Sequence, residues 1–324
     1  MSRLPPLANG DDVIGPDYKP APECLPQPDV PVGRLHAFVM RSGDSKTYPG
    51  IKRLENEITK RRDAFGNRIA AQEHEQSIAT PYNRTVWVYV PAQYVPGTPA
   101  PFIVAQDGHL YVNTLPPVLD NLIAAMRVPA MVAILVDSGG GDAQGSERGL
   151  EYDTLSGRYS DFIETEVLPR VVQETGVTLT GDPDGRATMG VSSGAACAFT
   201  MAWFHPERYR RVLSYSGTYV NQQSPPNPAS PRGAWEYHAT LIPVSPRKPL
   251  RVWLEVGERD LHADDPEDTW HNWPLANRRM AQALAGKGYP YRFTLSLGGR
   301  HADPRILEQT LPAALEWLWQ DYPR

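Results

Sequence analysis

Short, continuous apolar runs alternate along this chain with longer amphipathic stretches, and the alternation sharpens from residue 84 onward. Thr85-Val-Trp-Val-Tyr-Val90 is β-branched and aromatic, is stopped by Pro91, and predicts a strand. Pro101-Phe-Ile-Val-Ala105 predicts a second, running into Gln106-Asp107-Gly108-His109. A helix over 114–126 follows, then Ala130-Met-Val-Ala-Ile-Leu-Val136, an unbroken apolar run of the kind buried on both faces of a sheet. Tyr159, Phe162, Ile163, Val167 and Val171 recur at helical spacing over 156–174. Arg186–Val191 reads as a short buried strand, and Ala195–Phe204 as a helix of small residues ending before Pro206. Strands at 211–215 and 250–256, a helix at 274–286, a strand at 291–297 and a helix at 305–320 complete the alternation. Strands separated by helices of this length call for a mostly parallel sheet covered on both faces.

Three regions break the pattern. Eight of the 33 prolines fall within residues 1–31, so residues 1–33 are expected to form an extended arm rather than a folded unit, leaving 34–324 as the catalytic domain. Leu35–Met40 reads as an edge strand, and the charged segment 51–80 as helix or loop. Residues 218–249, rich in proline and asparagine and carrying Trp235 and Tyr237, are expected to form a lid or wall over a site.

Composition narrows the class. At 324 residues and 41% hydrophobic, the chain can bury a large core. A net charge of −5, with no basic run interleaved with aromatics, argues against nucleic acid as a partner. No stretch approaches the roughly 18–20 apolar residues of a membrane span. The first twelve residues show no apolar signal-peptide core, which favours the cytoplasm unless the chain is a mature exported form. A homodimer stays open. Cys24, in the proline-rich arm, and Cys197, in the predicted helix, lack metal-ligand spacing and are read as unpaired.

The chemistry begins at Gly190-Val191-Ser192-Ser193-Gly194, a G-x-S-x-G between a predicted strand and a predicted helix, which holds a hydroxyl out on a sharp turn. A serine needs a base to take its proton, and the base needs a carboxylate to orient it. His301, in the glycine-flanked loop Leu297-Gly-Gly-Arg-His301, is the expected base; His205, at a helix end, is the weaker choice. Asp260, three residues beyond Gly257 at the end of a predicted strand, is the expected acid, with Asp264, Asp265, Asp268 and Glu258 as competitors. The oxyanion needs two N–H donors: one is expected from Ser193, the other from Asp107 or Gly108. Trp235, Tyr237, Trp270 and Trp273 are candidates for an aromatic substrate wall.

Several blocks occur in one order: Gln106-Asp-Gly108, Arg148-Gly-Leu-Glu151-Tyr152, Gly190–Gly194, His205-Pro-Glu-Arg-Tyr209, Val212–Gly217, Trp273–Ala281 and Gly298-Gly-Arg-His301. That order resembles the Putative esterase (esterase D-like) family, which includes enterochelin esterases and the feruloyl and acetyl-xylan esterases of carbohydrate esterase family 1. The likeness runs over about residues 84–320. It implies an α/β-hydrolase fold, no metal or organic cofactor, and a Ser-His-acid mechanism through an acyl-enzyme. It also implies that Arg148 and Glu151 lie near the active site, in substrate contact or positioning. Arg300 stands where siderophore esterases of this type carry Gly-Gly-His, and the first 80 residues are unlike their N-terminal domain. The expected activity is therefore hydrolysis of aryl, hydroxycinnamoyl or carbohydrate esters. The alternatives are a siderophore trilactone esterase, an acyltransferase of the kind the mycolyltransferases represent, and a non-catalytic binding protein on a hydrolase shell.

Overall fold

The computed structural model describes residues 7–54, 76–141, 144–223 and 225–323. Its strands are β1 (Gly10–Ile14), β2 (Arg34–Arg41), β3 (Ile51–Leu54), β4 (Gln76–Ala79), β5 (Asn83–Val90), β6 (Phe102–Gln106), β7 (Val132–Val136), β8 (Arg186–Val191), β9 (Arg211–Tyr215), β10 (Arg251–Arg259) and β11 (Tyr291–Arg300). Its helices are α1 (Leu115–Ala124), α2 (Glu147–Tyr152), α3 (Arg158–Phe162), α4 (Leu168–Thr175), α5 (Ser193–Phe204), α6 (Ile242–Val244), α7 (Trp273–Gly286) and α8 (Pro304–Trp319). None of the described helices is long and apolar enough to cross a membrane.

Nine strands form one sheet in the order β1-β11-β10-β9-β8-β6-β7-β5-β2, parallel from β1 to β7 and antiparallel over β5 and β2. Every residue of β6, β7 and β9 is buried, which is why these strands lack polar alternation. One face packs against α3, α4, α5 and α7, through Phe162, Val171, Phe199, Trp203, Met280 and Leu284. The other packs against α1 and α8, through Leu119, Leu122, Leu311, Leu315 and Trp319. The sheet and its covering helices are those of an α/β-hydrolase.

Within its first 80 residues the chain departs from the pattern-based reading in two places. Residues 51–54 and 76–79 are paired antiparallel strands, not helix or loop; the rest of the charged segment, 55–75, lies outside the described residues. The proline-rich segment is extended as expected, yet it also contributes β1, whose five residues pair with Arg292–Ser296 of β11. From β1 the segment crosses behind α8 and α1. Ala21 N donates to Glu308 O at 3.1 Å, Asn121 Nδ2 to Glu23 O at 2.9 Å, and Gly33 N to Asp120 Oδ1 at 2.8 Å, delivering the chain to β2 at the opposite edge. Cys24 and Cys197 are both free thiols, and burial pushes each thiol up.

Candidate active site

The carboxyl ends of a parallel sheet are where loops can converge, and here β8, β10 and β11 each end on a residue of one constellation. Ser192 joins β8 to α5 at φ 59°, ψ −129°, a conformation that side chains rarely adopt and that lifts its hydroxyl off the sheet. The turn is tight enough to require glycine. A Cβ on Gly190 would lie 2.2 Å from the carbonyl carbon of Gly194, so α5 starts almost on the backbone of β8.

His301 Nε2 lies 2.9 Å from Ser192 Oγ, and His301 Nδ1 lies 2.5 Å from Asp260 Oδ1. Asp260 has a fully buried side chain, and its Oδ1 also accepts the Leu261 N–H at 2.6 Å. β10 runs three residues further than its apolar core, to Arg259, and its register against β11 shifts between Gly257 and Arg259. That shift carries Asp260 beside His301. The other carboxylates of the region go elsewhere: Glu258 accepts from Gly298 N at 2.9 Å, Asp265 pairs with His262 at 2.7 Å, and Asp264 and Asp268 are exposed. His205 pairs with Glu207 at 2.7 Å, away from the serine.

A cavity of about 570 Å³ opens over Ser192 and His301, walled by Asp107, Arg148, His109, Asp137, Asn83 and Thr85. Asp107 is held at φ 58° after β6, and its carboxylate takes Arg148 Nε and Nη2 at 3.1 and 2.8 Å. Its N–H donates to Tyr152 Oη at 3.1 Å, so the expectation that this N–H serves an oxyanion meets a donor already committed inward. No acceptor for the Gly108 or Ser193 N–H occurs among the described residues; both open helical turns, where the first amides lack partners. Gly108 must be glycine, since a Cβ there would lie 2.5 Å from the backbone of Leu135.

Arg148 and Glu151, three apart on α2, separate. Arg148 reaches the cavity wall, whereas Glu151 turns into the core and pairs with Arg84, both side chains nearly inaccessible. Arg84 also donates to Asp137 O at 2.8 Å and stacks over Phe162, its guanidinium carbon 4.6 Å from the ring centre. The adjacent Glu147 accepts the Ile51 N–H at 2.5 Å, tying α2 to β3. Burial and the Glu151 charge push its carboxyl up to about 7.

The expected aromatic wall does not reach the cavity. Trp235 and Tyr237 are core residues, 1% and 0% exposed, packed against His238 and Phe199 respectively, because residues 233–244 form a series of short helical turns folded into the core. Trp270 is half-buried against the same cluster. Trp273 is buried behind the histidine, its ring edge-on to His301 with centroids 6.0 Å apart. Three residues near the serine escaped the sequence reading. Thr218 Oγ1 lies 3.3 Å from Ser192 Oγ, and the paired His109 and Asp137 stand on the far wall. A single threonine after a strand carries no signal in one sequence; for His109 the signal is its place beside Asp107 and Gly108 in the loop after β6.

Comparison with curated proteins gave no significant match. Among solved structures, the enterobactin esterase FES from Shigella flexneri in the presence of enterobactin superposes with a TM-score of 0.59 at 22% identity, over 94% of this chain and 62% of its own. This chain therefore spans about three fifths of the length of that esterase. A mutant of the feruloyl esterase module from Clostridium thermocellum, complexed with sinapinate, superposes with a TM-score of 0.56 at 15% identity, over 99% of this chain and 98% of its own. At these identities the likeness bears on the fold. The family model described as Putative esterase matches residues 77–317, most of the chain and all of the constellation. The chain belongs to the Putative esterase family and has the α/β-hydrolase fold.

Proposed function

We propose that the chain cleaves carboxylic esters through Ser192, His301 and Asp260, by way of an acyl-enzyme. The observation that carries this reading is the unbroken relay from Ser192 Oγ to His301 Nε2 at 2.9 Å and from His301 Nδ1 to Asp260 at 2.5 Å. Ser192 Oγ attacks the ester carbonyl as its proton passes to His301 Nε2, and Asp260 stabilises the imidazolium through Nδ1–H. The N–H groups of Ser193 and Gly108 are the donors proposed for the tetrahedral oxyanion. His301 then protonates the leaving alkoxide, and the acyl group stays on Ser192. Water attacks that acyl group, giving its proton to His301; Ser192 recovers the proton as the acid departs.

The cavity's lining supports an uncharged, hydroxylated substrate: a carbohydrate ester, with a hydroxycinnamoyl group as the acyl part. Arg148, the one arginine among the described residues of its lining, is already neutralised by Asp107, and Asp137 adds a further acid. Asn83, Thr85 and His109 offer hydrogen bonds suited to hydroxyls. A tris-catecholate ferric complex carries three negative charges, and this wall gives them no free arginine. Methyl ferulate, p-nitrophenyl acetate and acetylated xylo-oligosaccharides test the reading, with wild type and Ser192→Ala assayed side by side. Turnover by the wild type and a loss of at least about a thousandfold in the variant are expected. A wild type inert toward every ester, or an alanine variant with normal rates, would sink the proposed mechanism.

A further inference from the structure

Directly behind Asp260 lies a second buried carboxyl that the relay does not use. β10 alternates its side chains across the sheet: Val252, Leu254 and Val256 enter the core on the α5 face, while Trp253 packs with α8. Glu255 therefore points to the α8 side, five residues before Asp260. Its register partner on β11 is Thr294, and Ser296 stands opposite Gly257 on the same face. Glu255, Thr294, Ser296 and Asp260 are 3%, 1%, 0% and 4% exposed. Buried oxygens without a hydrogen-bond partner among the described residues remain on three of them: Glu255 Oε1, Thr294 Oγ1 and Asp260 Oδ2. Three such oxygens on neighbouring buried side chains are uncommon, since buried polar groups are ordinarily satisfied.

The groups that face Glu255 come from every surrounding element. Asp260 follows its own strand, Asp303 caps α8, Tyr18 arrives from the proline-rich segment with its hydroxyl on Leu297 O at 2.7 Å, and Tyr215 stands on β9. Of the two neighbouring acids, Asp303 is held by Arg305 at 2.6 Å and Asp260 by His301. Burial pushes the Glu255 carboxyl up to about 8; the Ser296 hydroxyl opposes the rise, and the charges of Asp260 and Asp303 add to it. Two ionised carboxylates in so dry a place repel each other strongly.

We infer that Glu255 is a positioning residue for the catalytic acid: an un-ionised carboxyl that, with Thr294 and Ser296, forms the polar floor beneath Asp260. It never meets the substrate. Its neutral form avoids a second negative charge beside Asp260, and its hydroxyl supplies a donor to a cluster in which Asp260 Oδ2 lacks one. When Glu255 loses its proton, a second negative charge stands beside Asp260 and disturbs the contact through which it holds His301.

This inference rests on the proposed Ser192–His301–Asp260 mechanism, and Ser192→Ala keeps the two separable: a normal rate in that variant sinks the mechanism rather than the role of Glu255. The test measures kcat, KM and the pH profile of kcat/KM on p-nitrophenyl acetate for wild type, Glu255→Leu and Glu255→Gln, with far-UV circular dichroism to follow folding. Glu255→Leu is expected to lower kcat at least tenfold with KM within twofold of wild type. Glu255→Gln is expected to recover most of that loss. The wild-type profile is expected to carry an inflection between pH 7 and 9 that the glutamine variant lacks. A folded leucine variant with wild-type kcat overturns the inference. So does a glutamine profile that superimposes on the wild type, and this second result decides the matter if the leucine variant does not fold.

Discussion

Replacing Arg84 with methionine removes the countercharge of a carboxylate that has nowhere else to turn. The side chains of Arg84 and Glu151 are 2% and 0% exposed, so neither ion recovers water when the other is removed. Breaking such a pair from one side costs about 3–5 kcal/mol, because an uncompensated charge stays buried. Here the neighbourhood sharpens the effect: Glu147 already feels the Glu151 charge, and Arg84 also donates to Asp137 O across the cavity wall. Replacing both partners by apolar residues of similar volume restores the balance, and the double variant Arg84→Met/Glu151→Leu is expected within about 1.5 kcal/mol of wild type. The single loss is a large fraction of a typical stability of about 5–15 kcal/mol. Urea unfolding at pH 7 measures all four members of the cycle, with equal m-values as the condition for comparing midpoints. The reasoning is refuted if the two single losses add in the double variant, since additivity means the charges never depended on each other.

Three further outcomes follow from named contacts. Asp260→Asn is expected to lower kcat by three to four orders of magnitude, while the exposed Asp268→Asn stays within about twofold; comparable losses in both would reject the choice of acid. Gly190→Ala is expected to reduce kcat/KM more than about a hundredfold and to lower the melting temperature, since its Cβ collides with Gly194; a soluble, active variant contradicts the turn geometry. Glu147 has its carboxyl raised from 4.5 to about 7, so the folded state holds that proton more tightly than the unfolded state, and stability falls as pH climbs between those values. Glu147→Gln abolishes that decline. At about 1.4 kcal/mol per pH unit, the variant gains up to about 3 kcal/mol on wild type between pH 4.5 and 7, and parallel denaturation curves would contradict this.

The parts of this molecule that were legible in its sequence are those where local pattern and burial agree. β6 and β7 are apolar throughout because both their faces are covered, and the elbow at Ser192 announces itself because only glycine tolerates the contact at Gly190. Asp260 and His301 were readable as residues just beyond strand ends, where a parallel sheet presents its chemistry. What escaped depends on partners distant in sequence. β1 reads Gly-Asp-Asp-Val-Ile, polar and proline-flanked, and becomes a strand only because β11 offers an edge. Trp235 and Tyr237 carry the same composition whether they line a cavity or fill a core, and packing against α5 decided for the core. The choice of Gly108 over Asp107 turns on a tyrosine 45 residues away, which no local pattern encodes.

The crossing of the proline-rich segment has a consequence for the order of assembly. Among the described strands the earliest, β1, pairs with the latest, β11, while β2 lies eight strands away at the far edge. During synthesis β1 therefore waits without a partner until residues near 296 have emerged, by which time the central strands already have their neighbours. Its docking is an end-of-folding event that buckles a finished sheet, laying residues 15–33 across α8 and α1 as the strap. The strap also touches the active-site strand: Tyr18 holds the carbonyl of Leu297, four residues before His301. Docking of β1 and the seating of the loop that carries His301 are thus linked through Tyr18.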